Sequence, residues 1–276
     1  MSKLLRANFA RLQKSAIFWI GMVYALGIGY IAALSITTNR HSYMDDVLFS
    51  NCMFMPIVAA VFVGLFIGTE YSDGTIRNKL MVGHTRIPVY VSNFIVCTAA
   101  LLIMYITNLA VVVGIGFAFG GSMGTPIGSL FLFGLISMVT LIALSAFFLL
   151  ISMLIHNKAS GCVAAIIISL VFLMSAMVIS SRLQEPEYYD EYDVTFMDES
   201  GEIQKENGTK IKNPNYMTGK KREIYKFLYD FLPGCQMLQI ARQDPEHPER
   251  LPLYSLSIII VTTACGTFFF QRKNLK

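Results

Sequence analysis

Long stretches of the chain contain no Asp, Glu, Lys or Arg: 15–39, 47–69, 87–157, 159–181 and 251–271. About 20 helical residues cross the hydrocarbon core of a bilayer, so four of these windows each hold one span. The 71-residue window holds two, divided by the Gly/Pro-rich FGGSMGTP at 119–126. The pattern predicts an all-α integral membrane protein with six transmembrane helices, near 16–36, 48–69, 91–117, 128–154, 160–180 and 252–270. A soluble protein would need six separate buried helices of this length. The first run exceeds the usual h-region of a signal peptide and lacks an A-x-A site, so it reads as an uncleaved span.

Between the apolar windows lie amphipathic pieces. In SKLLRANFARLQK, residues 2–14, Leu5, Phe9 and Leu12 fall on one side of a helix and Lys3, Arg6 and Lys14 opposite, the pattern of an interfacial helix. In residues 222–242, Ile224, Phe227, Leu228, Phe231 and Leu232 recur at helical spacing. Pro233-Gly234 breaks the helix, and Met237, Leu238 and Ile240 resume the pattern. The expectation is a re-entrant or surface-lying helical pair just before the last span, or a lid over the spans. The acid-rich tract before it, with VTFMDESGEIQ, predicts a β-hairpin turning at Glu199-Ser200-Gly201.

Composition agrees with the pattern. The chain is 54% hydrophobic and 14% charged, against about 25% charged in a soluble domain. Charge placement then sets the expected orientation. With the N-terminus inside, the inner segments hold Lys3, Arg6, Arg11, Lys14, Arg77, Lys79, Arg86, Lys158, Arg272, Lys273 and Lys276, against Arg40 alone in the short outer loops. Both termini are expected in the cytoplasm of a cell-membrane protein. The net +4 reflects this imbalance rather than a nucleic-acid partner. The expected division is an elbow helix over 1–15, spans over 16–180, an extracellular segment over 181–251, a sixth span over 252–270 and a tail over 271–276. Cysteines 52, 97, 162, 235 and 265 form no C-x-x-C pair. Four fall in spans and Cys235 outside, which leaves a bond between Cys52 and Cys235 open. The sequon Asn207-Gly208-Thr209 reads as chance.

Several chemistries are missing from the sequence. There is no G-x-x-x-x-G-K-[ST] to cradle nucleotide phosphates and no H-E-x-x-H, and the four histidines are scattered without metal-ligand spacing. No acid or base falls inside a predicted span, so an ion-coupled carrier lacks its titrating site. No catalytic or metal residues are expected, and no cofactor in this chain. Energy for moving a cargo would have to arrive from outside the bilayer.

One charged island interrupts the apolar windows: IGTEYSDGTIRNKLMVGHTR, residues 67–86. Asp73 is placed to cap a helix and Gly83 to end it. The expected helix is about nine residues, with Arg77 and Lys79 exposed and Ile76, Leu80 and Met81 on an apolar side. A helix that short is marginal in water and needs a partner surface. The run Glu70-Tyr71-x-Asp73-Gly74-Thr75-Ile76-Arg77-Asn78-Lys79-Leu80, followed by Gly83 and Arg86, resembles the cytoplasmic loop of type-two ABC exporter permeases, above all small bacterial ones encoded beside a separate ATPase. The interfacial elbow, the six spans and FLPGCQ at 231–236, similar to Leu-Pro-x-x-Gln, extend the resemblance. The long acidic insert at 183–221 departs from it.

The resemblance implies that the loop between spans two and three is a coupling helix docking on an ABC ATPase. It implies two ATPase copies carrying ATP and Mg, and a second permease copy, either identical or a sister. ATP-driven closure of the ATPase pair would move helix 73–83 and reorient spans two and three. Gly64 and Gly68, one turn apart, form either a close-packing face or a lipid-facing pair. A Met- and Phe-rich interior suits a hydrophobic or amphipathic cargo: an antimicrobial or bacteriocin-like peptide, a surfactant peptide or a lipophilic drug. Asn51, Asn93, Asn108, Phe231 and Met237 are candidates for the cargo path, although the asparagines could equally join helices. The alternatives are a permease for a lipid-linked glycan, or a membrane anchor or signalling protein without transport.

Overall fold

The computed structural model describes residues 1–38, 43–155, 157–190, 194–197, 203–206 and 210–273. Arg40, the turn at Glu199-Ser200-Gly201, the sequon at 207–209 and Lys276 lie outside the described residues. The architecture is all-α, with six helices long and apolar enough to span a bilayer. In chain order the elements are α1 (Ser2–Lys14), α2 (Ala16–Thr38), α3 (Asp45–Leu48), α4 (Met55–Ser72), α5 (Thr75–Met81), α6 (Arg86–Ala118), α7 (Ile127–Leu154) and α8 (Lys158–Gln184). Four short strands follow, β1 (Tyr188–Asp190), β2 (Val194–Met197), β3 (Ile203–Glu206) and β4 (Lys210–Lys212). The chain ends with α9 (Lys220–Phe231), α10 (Pro233–Arg242) and α11 (Leu251–Arg272).

The six long apolar helices fall where the charge-free windows placed them, since a helix pairs its own backbone groups where lipid offers no partner. The second span is composite. It begins with α3 and a 3₁₀ turn over Ser50–Phe54, and Pro56 opens α4, where its missing N–H costs no helical hydrogen bond. The FGGSMGTP break folds as a loop pinned by Asp45, whose carboxylate accepts the backbone N–H groups of Gly124 (2.9 Å) and Thr125 (2.8 Å).

Helices α4 and α7 form the centre of the bundle. α2 packs on α6, α8 on α4, and α11 on α7 and α6. Gly64 and Gly68 are the close-packing face: an added Cβ would stand 3.1 Å from Cys162 Cα and 3.0 Å from Lys158 Cα. Glycine there lets α4 and α8 approach backbone to backbone.

Strands β2 and β3 pair antiparallel, Val194 with Glu206 through Met197 with Ile203, and β1 pairs with β4. The hairpin read from the sequence is present in these strands. The helical pair α9–α10 breaks at Leu232-Pro233 as expected. Far from lying on a surface, α10 is wedged between α8, α7 and the 3₁₀ turn. Gln236 reaches Thr140, 13 residues inside α7 and so about 20 Å along its axis. The segment thus enters the bundle instead of covering it. All five thiols are free, Cys52 and Cys235 included.

Candidate functional site

The charged island folds as a short helix held between two spans. Helix α4 runs through to Ser72, and Gly74, in the left-handed region at φ 66°, starts α5. Asp73 does not cap it: its carboxylate takes the Ser72 hydroxyl (3.2 Å), and no side chain caps α5. The left-handed glycine makes the turn, so the helix has seven residues, not nine. Its end is as expected. Gly83 has φ 94°, the Gly83 N–H donates to the Leu80 carbonyl (3.0 Å) and the His84 N–H to the Lys79 carbonyl (3.2 Å). That pair of bonds is a Schellman stop.

Lys79 departs furthest from expectation. Its side chain is only 10% exposed and turns inward onto Glu70, which is completely buried at the end of α4. The same carboxylate meets Arg11 of α1 at 2.7 Å and accepts a hydrogen bond from the Asn93 amide of α6. Asn8 completes the ring: its amide donates to Ser92 Oγ (3.0 Å) and Asn93 Oδ1 (2.8 Å), and its oxygen accepts from Lys79 Nζ (2.7 Å). The Arg11 guanidinium also lies 3.9 Å over the Phe66 ring. Four elements, α1, α4, α5 and α6, thus meet on one carboxylate. Two cations share it. Burial, and then the neighbouring Arg11 charge, push the Lys79 ammonium down to about 7, and burial lowers Arg11 to about 10.

Asn8 and Arg11 were missed in the sequence. A signal was present: Leu4, Asn8 and Leu12 recur at spacing four and are all buried. A polar residue within an apolar stripe needs a partner inside. The helix therefore packs on α6 rather than merely resting on headgroups.

A second tie secures the other end of the island. Arg86 Nη1 donates to the carbonyls of Phe270 (3.0 Å), Gln271 (2.7 Å) and Lys273 (2.6 Å), closing the C-terminus of α11. Those carbonyls have no partner within the helix, and a cation there also suits the helix dipole. Lys273 Nζ donates in turn to Met153 O (2.5 Å) at the end of α7 and to the Tyr71 hydroxyl (3.2 Å), while that hydroxyl donates to Met153 O (2.9 Å). Burial lowers Lys273 to about 8.

With Ile76 buried and Leu80 and Thr75 half-buried, the residues left facing outward are Arg77, Asn78, Met81, Val82 and Gly83. Met81 and Val82 are 76% and 79% exposed, so Met81 lies opposite the apolar side assigned to it. The product is a basic and apolar tip on an anchored stem.

The cargo-path candidates scatter. Asn93 belongs to the Glu70 cluster. Asn108 donates to the Ala25 carbonyl (3.1 Å), and Asn51 accepts from the Tyr24 hydroxyl (2.9 Å), so each joins α2 to its neighbour. Met237 is fully buried in α10. Phe231 lines a cavity of ≈ 280 Å³ at the α9–α10 break. Among the described residues no group of His, Cys, Asp and Glu is arranged to hold a metal.

Six apolar helices define a multi-pass membrane protein, and the polar loop between the second and third of them is fastened at one end of the bundle. The family described as ABC-2 family transporter protein matches residues 4–176, from α1 into α8. The match covers more than half of the chain, which belongs to that family. It is thus a membrane subunit of an ABC transporter, a family that works with a separate ATP-hydrolysing partner. A search of the curated proteins finds no match.

Proposed function

We propose that the chain is the permease subunit of an ATP-driven exporter, with α5 as the element gripped by the ATPase. The end bearing α1, α5 and the close of α11 faces the cytoplasm, as the concentration of Lys and Arg there favours. ATP and Mg²⁺ belong to the partner. Two ATPase copies and two permease copies make the working unit. The observation that carries the reading is the pair Met81 and Val82, exposed on a polar loop beside Arg77 while every inward residue of α5 is anchored. Adjacent apolar side chains held in water on a rigid stem fit a partner's apolar groove, and Arg77 fits an acid on its rim.

For the cargo, we favour a hydrophobic or amphipathic molecule, of which antimicrobial, bacteriocin-like and surfactant peptides and lipophilic drugs are the main classes. A cavity of ≈ 410 Å³ between α2 and α4, lined by Ile20, Tyr24, Phe54, Val61 and Phe62, is almost wholly apolar.

Arg77→Glu with Met81→Asp tests the docking. Co-expressed with its partner ATPase, the variant should reach the membrane at the normal level and lose at least tenfold of the co-purifying ATPase. Undiminished complex would refute the reading. Lys79→Glu is a poor probe of docking, because Lys79 points inward and that change would place a second carboxylate against Glu70.

A further inference from the structure

We infer that α11 is a connecting rod, carrying the displacement of the α5 knob to the re-entrant helix α10 at the opposite end of the bundle. The inference rests on the docking of α5 proposed above and adds a route to it. Spans two and three are the obvious recipients of such a movement, since α5 joins them directly. Helix α11 is remote in sequence and yet is tied at both ends.

At the knob end the tie is Arg86, the first residue of α6, which follows Gly83 after His84 and Thr85, with its guanidinium on the carbonyls of Phe270 and Gln271 in the last turn of α11 and of Lys273 just beyond it. At the far end α11 holds the re-entrant pair in two ways. Ser255 Oγ donates to Gln236 Oε1 (2.6 Å), and Gln236 Nε2 donates to the Leu251 carbonyl (3.3 Å). Tyr254 stands edge-on to both Phe227 and Phe231, with centroids 5.8 Å apart in each case and interplanar angles of 86° and 71°. Between these ties runs an uninterrupted helix of 22 residues, about 33 Å long. An uninterrupted helix of that length, with its backbone hydrogen bonds continuous, moves as one element under an axial or tilting displacement.

The far end also has room to respond. The ≈ 280 Å³ cavity is walled by Phe231, Leu232 and Pro233 at the α9–α10 break and by Ile258 and Val261 of α11. A break in a helical pair bordered by free space is where a packed assembly can adopt a second arrangement. Gln236 further ties α10 to Thr140 of α7 (2.9 Å), so a displacement of α11 relative to α7 would draw on the amide from two sides. Differential contacts of this kind, rather than proximity, couple distant sites.

The test uses the full permease–ATPase complex in nanodiscs, with spin labels at Ile127→Cys, at the start of α7, and Ile224→Cys on α9. Both positions are exposed, at 77% and 57%. Cys265→Ala removes the one native thiol that is not buried. The label separation should differ between the nucleotide-free complex and the complex trapped with ATP and vanadate. Arg86→Gln should abolish the difference while the ATPase still co-purifies. A difference that persists in Arg86→Gln, or none in the parent protein, overturns the inference. Should Arg86→Gln weaken docking, Gln236→Leu at the other end of the rod decides: docking kept and the shift lost supports the rod, and a retained shift refutes it. Failure of the underlying docking reading shows separately, as ATPase retained by the Arg77→Glu, Met81→Asp variant.

Discussion

Two buried polar nodes among the described residues, one at the α5 end of the bundle and one midway along α7, are built on opposite principles. The Glu70 node is ionic, with one carboxylate and two cations drawn from α1 and α5. The Gln236 node is neutral. Its amide donates to the carbonyls of Asp230 (2.7 Å) and Leu251 (3.3 Å) and accepts from the hydroxyls of Thr140 (2.9 Å) and Ser255 (2.6 Å). Charged groups taken out of water hold strongly only while all partners stay, and removing one strands the others. A satisfied amide contributes less and is exchanged more cheaply. On the docking proposed above, the ionic node suits a joint that must stay closed under load on α5, and the neutral one suits a contact that re-forms after movement.

The largest expected effect therefore comes from Glu70→Gln, which leaves Arg11 and Lys79 buried without a carboxylate. It should cost about 3–5 kcal/mol, read as a lowered midpoint of unfolding in nanodiscs. Adding Lys79→Met to that variant should recover part of the loss. No recovery would show that the pairs are independent rather than one node. Gln236→Leu should cost less, about 1–3 kcal/mol for the unpaired carbonyls, by the same measurement. A loss as large as that of Glu70→Gln would erase the distinction between the nodes.

The pH dependence should differ as well. Lys79 titrates near 7 in the folded protein against an ordinary 10.5, so between these values the unfolded chain binds more protons and stability rises with pH. The penalty for holding a second cation is full below about pH 7 and is relieved as pH rises through it. The stability of the natural protein relative to Lys79→Met should thus grow between pH 7 and 9, while the Gln236 node contributes no such trend. The smallest effect is expected for Asp73→Ala. A lost N-cap costs about 1 kcal/mol, but Asp73 only accepts the Ser72 hydroxyl, so the change should stay within about 0.5 kcal/mol. A full unit lost would restore the capping role.

Much of the fold was legible because its signals are local. Gly83 ends α5, and Pro233 opens α10 after the break at Leu232, since a left-handed backbone and a missing N–H act wherever they occur. The family resemblance of residues 70–86 was legible too, as was the apolar re-entrant pattern. What the sequence alone could not assign was the direction of each polar side chain in the island. The pattern predicts Lys79 outward and it points inward, predicts Met81 inward and it points outward, and offers Asp73 as a cap where Gly74 makes the turn.

Partition between water and lipid is summed residue by residue along a window, so the number and position of the spans followed from the chain itself. A polar residue at the end of a span serves equally well facing a partner or a neighbouring helix. The choice depends on groups that folding brings near, such as Asn8, 71 positions from Lys79, and the carbonyl of Phe270, 184 positions from Arg86. The packing of α1 and α11 against the island made that choice, because only there do the unpaired donors and acceptors of distant segments come within bonding distance.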